Sequence, residues 1–385
     1  MIKPVIVVVA YNRTNSLERL LNSLQNAIYQ FNDVTLIISI DYQDSEENLS
    51  VYKCAEEFEW NYGEKIIIHH TTNLGLKEHI ILCGNKSKEF GAVIILEDDL
   101  VVSPGFYNYA VAAAAYYDNE PKVAGISLYS YEYEELGWYR FYPKNLGKDN
   151  FFMQWSASWG QLWTSSQWIG FTEWYVENKC LENINIPDQV KNWKNSWKKF
   201  HIGYLVETNR YFVYPYHSYT TTIDGGGVHY VNDSRQNTVS LINDSLRDDF
   251  NFSSITNDVL KYDVFFQPIK RKIYISKLEK EIELEFDFFG TKKQLNYRAE
   301  YVCSSKLAKN IIHEYSNSLM PYEDNIINCV DGTNFKVANK NDFLESFSFY
   351  QKGEMLYNTR KIYAIKEMVL VVLYKLIDKT TKIFI

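Results

Sequence analysis

Apolar and polar positions in the first third of the chain alternate between two periods. Residues 4–10, Pro-Val-Ile-Val-Val-Val-Ala, are a continuous β-branched run, the pattern of a strand buried on both faces. Leu17, Leu20, Leu21, Leu24 and Ile28 then recur at helical spacing, and Asn15 with Glu18 is placed as a capping box. Residues 34–40 predict a second buried strand ending at Asp41. A polar helix over about 46–60 and a third strand over 65–69 follow. A loop with Asn73, Gly75 and Lys77 leads into a helix running to about Phe90. Residues 92–96 predict a fourth strand, which breaks off into Glu97-Asp98-Asp99. Ser103-Pro104 reads as a helix start, with Ser as cap and Pro in the first turn. Residues 123–127 predict a further strand.

Strands and helices alternating at this spacing predict an α/β domain, a mostly parallel sheet flanked by helices. From about Tyr129 the pattern changes. Residues 129–175 are dense in Tyr, Trp and Phe, residues 176–200 read as helical, and residues 211–216 read as a strand. A glycine run, Gly225-Gly226-Gly227, precedes His229, and residues 230–258 are polar and predict a loop. Residues 260–350 alternate short β-like runs with turn signals, which predicts a smaller mixed module. The expected division is 1–258, with halves over 1–128 and 129–258, followed by an accessory module over 259–385.

Composition narrows the class. At 385 residues, 46% hydrophobic and 23% charged, the chain can bury a sizeable core. A net charge of −8 disfavours a general nucleic-acid binder. Cys54, Cys83, Cys180, Cys303 and Cys329 are scattered and odd in number, which fits reduced thiols in the cytoplasm. The first strand follows Met1-Ile2-Lys3 directly, so no signal peptide is expected, and no stretch reaches the length of a membrane span. No glycine-rich phosphate loop follows the first strand, which disfavours a Rossmann dehydrogenase and a P-loop enzyme.

The chemistry concentrates at Glu97-Asp98-Asp99. Carboxylates at the end of a buried strand are costly unless compensated, and a divalent cation is the usual compensation. In open α/β sheets that end of a strand is where ligands bind. The alternative is a solvated loop after a core strand.

The order of motifs resembles GT-A-fold glycosyltransferases of the family-two type. It is also similar to N-acetylglucosaminyltransferase I and to bacterial surface-polysaccharide sugar transferases. The residues that carry the resemblance are Ala10-Tyr11-Asn12-Arg13, Asp41, Asn73-x-Gly75-x-Lys77, Glu97-Asp98-Asp99, Trp155-Ser156-Ala157-Ser158-Trp159-Gly160 and His229. They span about residues 4–230. The resemblance implies transfer of a sugar from a nucleotide-sugar donor, a UDP-sugar above all, to a glycan or lipid-linked acceptor in surface polysaccharide synthesis. It implies Mn2+ or Mg2+ held by Asp99 and His229. Ala10, Tyr11, Arg13, Asp41, Asn73, Lys77, Glu97 and Asp98 then face the donor. Asp41 could instead cap the next helix, and Lys77 could be a surface cation. Trp155, Trp159, Trp163 and Trp168 could stack on acceptor sugars, at least half of them being core.

The sequence departs from the resembled families at the catalytic base. Where an acid is expected, it reads Ser196-Trp197-Lys198-Lys199. Asp188, Glu207 and Glu173 are the available substitutes. That departure keeps a retaining enzyme and a catalytically inactive carbohydrate-binding relative open, and a sugar-nucleotide nucleotidyltransferase is the third reading. At the C-terminus, Val369–Leu373 lies among Lys361, Lys366, Lys375, Lys379 and Lys382. A helix there would have an apolar body and a basic fringe, suited either to the inner face of the cell membrane or to docking on protein.

Overall fold

The computed structural model describes residues 2–223, 237–243, 247, 249–357 and 365–381. The chain divides into two compact units, one of residues 1–130 and 145–257, the other of residues 131–144 and 258–385. The second unit therefore takes a short segment from within the aromatic-rich stretch as well as the C-terminal third.

The first unit opens with β1 (Val5–Ala10), α1 (Thr14–Gln25), β2 (Leu36–Ile40), α2 (Glu46–Glu57) and β3 (Lys65–His69). Then come α3 (Gly75–Gly84), α4 (Lys86–Phe90), β4 (Ala92–Glu97), β5 (Leu100–Val102), α5 (Phe106–Tyr117) and β6 (Val123–Ser127). After the excursion to the second unit it resumes with β7 (Asn150–Met153), β8 (Gln161–Thr164), α6 (Ser165–Glu177), α7 (Asp188–Lys191), α8 (Trp197–Glu207), β9 (Tyr211–Pro215) and β10 (Thr220–Thr222). Eight of these strands form one sheet in the order β7-β9-β6-β8-β4-β1-β2-β3.

Every residue of β1 and β2 is buried, as continuous apolar runs require in a sheet covered on both faces. The pairs β1·β2, β2·β3, β1·β4 and β6·β9 are parallel. By contrast, β8 runs antiparallel between β4 and β6, and β7 runs antiparallel to β9. The aromatic segment thus extends the parallel sheet with reversed strands. In register, Val9 lies beside Glu97, so the carboxylate run leaves the sheet at the same edge as Ala10–Arg13.

Three local expectations are corrected. Helix α1 starts at Thr14 with Arg13 at the cap position and no side-chain cap bond, so Asn15 lies inside the first turn. Helix α5 starts at Phe106, after the turn in which the Phe106 N–H bonds to the Ser103 carbonyl. Residues 178–187 are not helical, because α6 begins earlier and α8 later. Thr164 and Gln167 form a full capping box at α6, and the Ser196 hydroxyl accepts from the Lys199 N–H at α8.

The second unit contains β11 (Lys261–Tyr262), β12 (Arg271–Ile275), β13 (Lys280–Asp287), β14 (Tyr301–Ser304), β15 (His313–Tyr315) and β16 (Phe335–Asn339). Its helices are α9 (Glu323–Ile327), α10 (Phe349–Tyr357) and α11 (Ile365–Thr381). Five strands form a sheet in the order β12-β13-β14-β16-β15. Its core gathers Ile275, Leu284, Phe286, Phe288, Phe335 and Val337. Lys292 is buried, with its charge met by Asp263 at 2.7 Å and Glu285 at 2.8 Å.

Candidate active site

The carboxylates at the end of β4 meet a single guanidinium. Arg13 Nε donates to Asp98 Oδ2 at 3.3 Å, its Nη2 pairs with Asp98 Oδ1, and its Nη1 reaches Asp99 Oδ2 at 3.3 Å. The β1–α1 turn aims Arg13 here because β1 and β4 are neighbours with ends in register. Asp98 is buried, and its N–H bonds to the Val9 carbonyl at 3.1 Å. Burial pushes Asp98 up to about 6 against the pull of Arg13. Burial, followed by repulsion from Asp99 and Asp98, pushes Glu97 up to about 8, while Arg13 and Lys198 act in the opposite sense. A charged ligand or cation at this edge would reset both values.

Asp99 has one feature that the rest of the cluster lacks. Its Oδ1 is buried and has no hydrogen-bond partner among the described residues. A buried acceptor left unpaired calls for a missing partner, and a hard carboxylate oxygen suits Mg2+ or Mn2+. Asp99 therefore fits as one ligand of such an ion. Among the described residues no three His, Cys, Asp or Glu side chains converge on a common point, so the remaining ligands would be substrate phosphates, water or residues outside that set. His229 and Gly225–Gly227 lie outside the described residues.

The Asp41 carboxylate accepts from three backbone N–H groups. Its Oδ1 accepts from the N–H groups of Tyr42 at 2.9 Å and Leu74 at 2.8 Å, and its Oδ2 accepts from Gly75 at 2.9 Å. The carboxylate braces the start of α3, while the following helix α2 is capped by Ser45. The expectation that Asp41 caps the next helix in sequence is corrected: it holds the one after. Gly75 has φ +73°, a left-handed conformation that glycine adopts without strain. The Asn73 amide donates to the Tyr42 carbonyl at 2.8 Å. The Ala10 carbonyl accepts from the Asp41 N–H at 3.0 Å. Asn48 donates to the Tyr11 carbonyl at 2.6 Å and to the Asp41 carbonyl at 2.8 Å. Asn48 was not singled out from sequence, since an amide inside a polar helix gives no signal of its own. These bonds tie the loops after β1, β2 and β3 into one rim.

Beneath that rim, the Ser39 hydroxyl contacts His79 Nε2 at 2.7 Å and His70 Nε2 at 3.1 Å. Burial pulls His79 down to about 4, with Asp41 opposing. Below its ordinary value near 6.5 the unfolded chain binds a proton that the folded site refuses until about pH 4. Stability should therefore fall with pH through that window, by up to about 1.4 kcal/mol per pH unit from this group. The His79→Gln variant is expected to lose less stability than the wild type between pH 7 and pH 5 in paired thermal melts. Equal losses would exclude His79 as a source of the pH dependence.

Lys77 is not drawn to the carboxylates; it pairs with Glu78 at 2.9 Å. Glu207 accepts from Trp174 Nε1 at 2.6 Å and closes α8, about 14 Å along the axis from Lys198. Glu173 is exposed on α6. Neither these two acids nor Asp188 is among the charges acting on Glu97. Asp188 is exposed at the start of α7.

Lys198 is the residue that sequence reasoning undervalued. It is buried, with its Nζ 5.2 Å from the ring of Trp155, 5.3 Å from that of Trp159 and 5.5 Å from that of Trp193. Its charge also acts on Glu97, so α8 lies within electrostatic reach of the carboxylates. Trp163 and Trp168 are wholly buried and pack on each other, so they are core. Trp159 is half-buried, with the Tyr129 ring 4.9 Å away.

A mostly parallel α/β sheet with helices on its faces and a carboxylate–arginine cluster at the end of its central strand is a GT-A-like arrangement. Residues 5–166 match the family model of glycosyl transferase family 2. No curated protein matches the chain. Among solved structures, TarS 1–349 of S. aureus in complex with UDP-GlcNAc is 14% identical, covering 58% of this chain and 60% of that one, with TM-score 0.36. The mannosyltransferase PcManGT from Pyrobaculum calidifontis, in complex with GDP-Man and Mn2+, is 16% identical, covering 33% of this chain and 35% of that one, with TM-score 0.26. A cytidylyltransferase from Leptospira borgpetersenii is 10% identical, covering 54% of this chain and 73% of that one, with TM-score 0.33. The chain spans about a third of the mannosyltransferase and three fifths of TarS 1–349.

Proposed function

We propose that the protein is a divalent-metal-dependent glycosyltransferase that moves a sugar from a UDP-sugar to a glycan or lipid-linked acceptor in surface polysaccharide synthesis. The single observation that carries this reading is the orphaned buried Oδ1 of Asp99 beside the Arg13-bound Asp98, within the segment that matches glycosyl transferase family 2. A nucleoside diphosphate leaves with growing negative charge. Mn2+ or Mg2+ on Asp99 would neutralise phosphate oxygens there. Arg13 sits where it could turn from the carboxylates to the diphosphate. Asp98 and Glu97 would face the donor's ribose and sugar, with the braced loops after β1, β2 and β3 forming the nucleoside rim. On the acceptor side, Trp159 offers a stacking face and Lys198 fixes the electrostatics near Glu97.

In an inverting reaction the acceptor oxygen bonds to the anomeric carbon, the bond to the diphosphate breaks and the hydroxyl proton goes to a base. Asp188 is our proposed base. It is exposed at the start of α7. Asp188→Asn should lower turnover by at least about a hundredfold with donor KM little changed. Unchanged turnover would remove Asp188 and favour a retaining route.

The defining experiment incubates the purified protein with UDP-sugars, with and without Mn2+, and follows UDP release. Metal-dependent UDP release supports the proposal. Pyrophosphate release from a nucleoside triphosphate and a sugar 1-phosphate would make it a nucleotidyltransferase. Glycan binding with neither reaction would make it an inactive relative.

A further inference from the structure

Helix α11 carries an apolar surface that is exposed among the described residues. Met368, Val369, Val372, Leu373, Leu376 and Ile377 are each between 40% and 57% exposed. At about 3.6 residues per turn these six positions make one continuous half of the helix circumference. The opposite half packs on α10. Tyr374 is buried there against the rings of Tyr350 at 5.1 Å and Tyr357 at 6.1 Å. A Cβ added at Gly353 would lie 2.7 Å from the Tyr374 Cβ, so glycine at this point permits the close approach. The helix thus meets α10 through its tyrosine side. Phe349, Tyr350 and Tyr357 add further exposed rings on α10.

Charge follows the same division. Residues 360–385 hold six cations, Arg360, Lys361, Lys366, Lys375, Lys379 and Lys382, against two carboxylates, in a chain whose net charge is −8. Lys366, Lys375 and Lys379 take register positions on or beside the apolar half. Glu367 and Asp378 take positions on the α10 side. A helix with a wide apolar half and an excess of cations at register positions on or beside it matches the layered chemistry of an anionic lipid surface. At 17 residues it is about 25 Å long, and no described helix is long and apolar enough to cross a membrane.

We propose that α11 seats the protein in the plane of an anionic lipid surface, with the Met368–Ile377 face in the acyl boundary and the lysines among the headgroups. This contact stands apart from the transfer reaction. Loss of one would not entail loss of the other.

The test uses the full chain with vesicles of phosphatidylcholine alone or mixed with phosphatidylglycerol, at low and high salt. The expected result is co-sedimentation with the anionic vesicles only, weakened by salt. Binding should fall by about tenfold or more in the Val372→Glu, Leu376→Glu double variant. Circular dichroism checks that the variant keeps its helices, and Val369→Ser with Leu373→Ser serves if it does not. Sedimentation velocity without lipid reads self-association. No binding to anionic vesicles, or equal binding by wild type and variants, overturns the proposal. So does a dimer split by the glutamates without any vesicle binding, which would assign the face to a second copy of this chain.

Discussion

Asp99→Asn is expected to lower metal-dependent sugar transfer by about a thousandfold, equivalent to about 4 kcal/mol of transition-state stabilisation. The substitution keeps the size of the side chain but removes the charge on the one carboxylate with an unpartnered buried oxygen. It also removes a negative charge beside Glu97 and Asp98, both of which burial already pushes upward. The melting temperature should therefore hold or rise while activity collapses. Metal-dependent nucleotide binding, followed by calorimetry with UDP and Mn2+, should disappear with the activity. Full activity in this variant, or in wild type under excess EDTA, would exclude Asp99 as an essential metal ligand.

Arg13→Met is expected to act on the fold first. Arg13 is the sole ion-pair partner seen for Asp98 and Asp99 among the described residues. Stripping a buried carboxylate of its partner costs about 3 kcal/mol, the low end of the range, because Arg13 is itself a quarter exposed. The variant should melt well below wild type in EDTA. Added Mn2+ should recover more stability in the variant than in the wild type, since the ion would meet carboxylates that no guanidinium competes for. A melting temperature equal to wild type in EDTA would show that Asp98 finds its compensation elsewhere. A lowered one that Mn2+ leaves untouched would separate the arginine pair from any cation site.

Strands β1, β2, β4 and β6 were readable from the chain because they are buried on both faces. A strand so placed is written as an unbroken β-branched run, as in residues 4–10 and 92–96, and no tertiary context is needed to see it. The carboxylates at Glu97-Asp98-Asp99 were legible for the same reason, standing where such a run ends.

The aromatic stretch was not readable in this way. Tyr, Trp and Phe satisfy a helix, a strand or a binding face equally well. Only pairing decided that β7 and β8 run antiparallel to their neighbours and that Trp163 and Trp168 are core. The roles of single polar residues were likewise decided in three dimensions. Asp41 spends its oxygens on the backbone of Leu74 and Gly75, and Asn48 clamps two loops, through contacts between residues about 33 to 37 positions apart. Lys198 became part of the site only because α8 brings it to three tryptophans. The sequence alone determined the periodic pattern, and with it the parallel half of the sheet and the place of its carboxylates, because burial of whole faces is recorded in every second or fourth residue. Tertiary structure decided which carboxylate is braced, which is paired by Arg13 and which keeps an unpartnered oxygen, because those outcomes depend on neighbours that periodicity does not record.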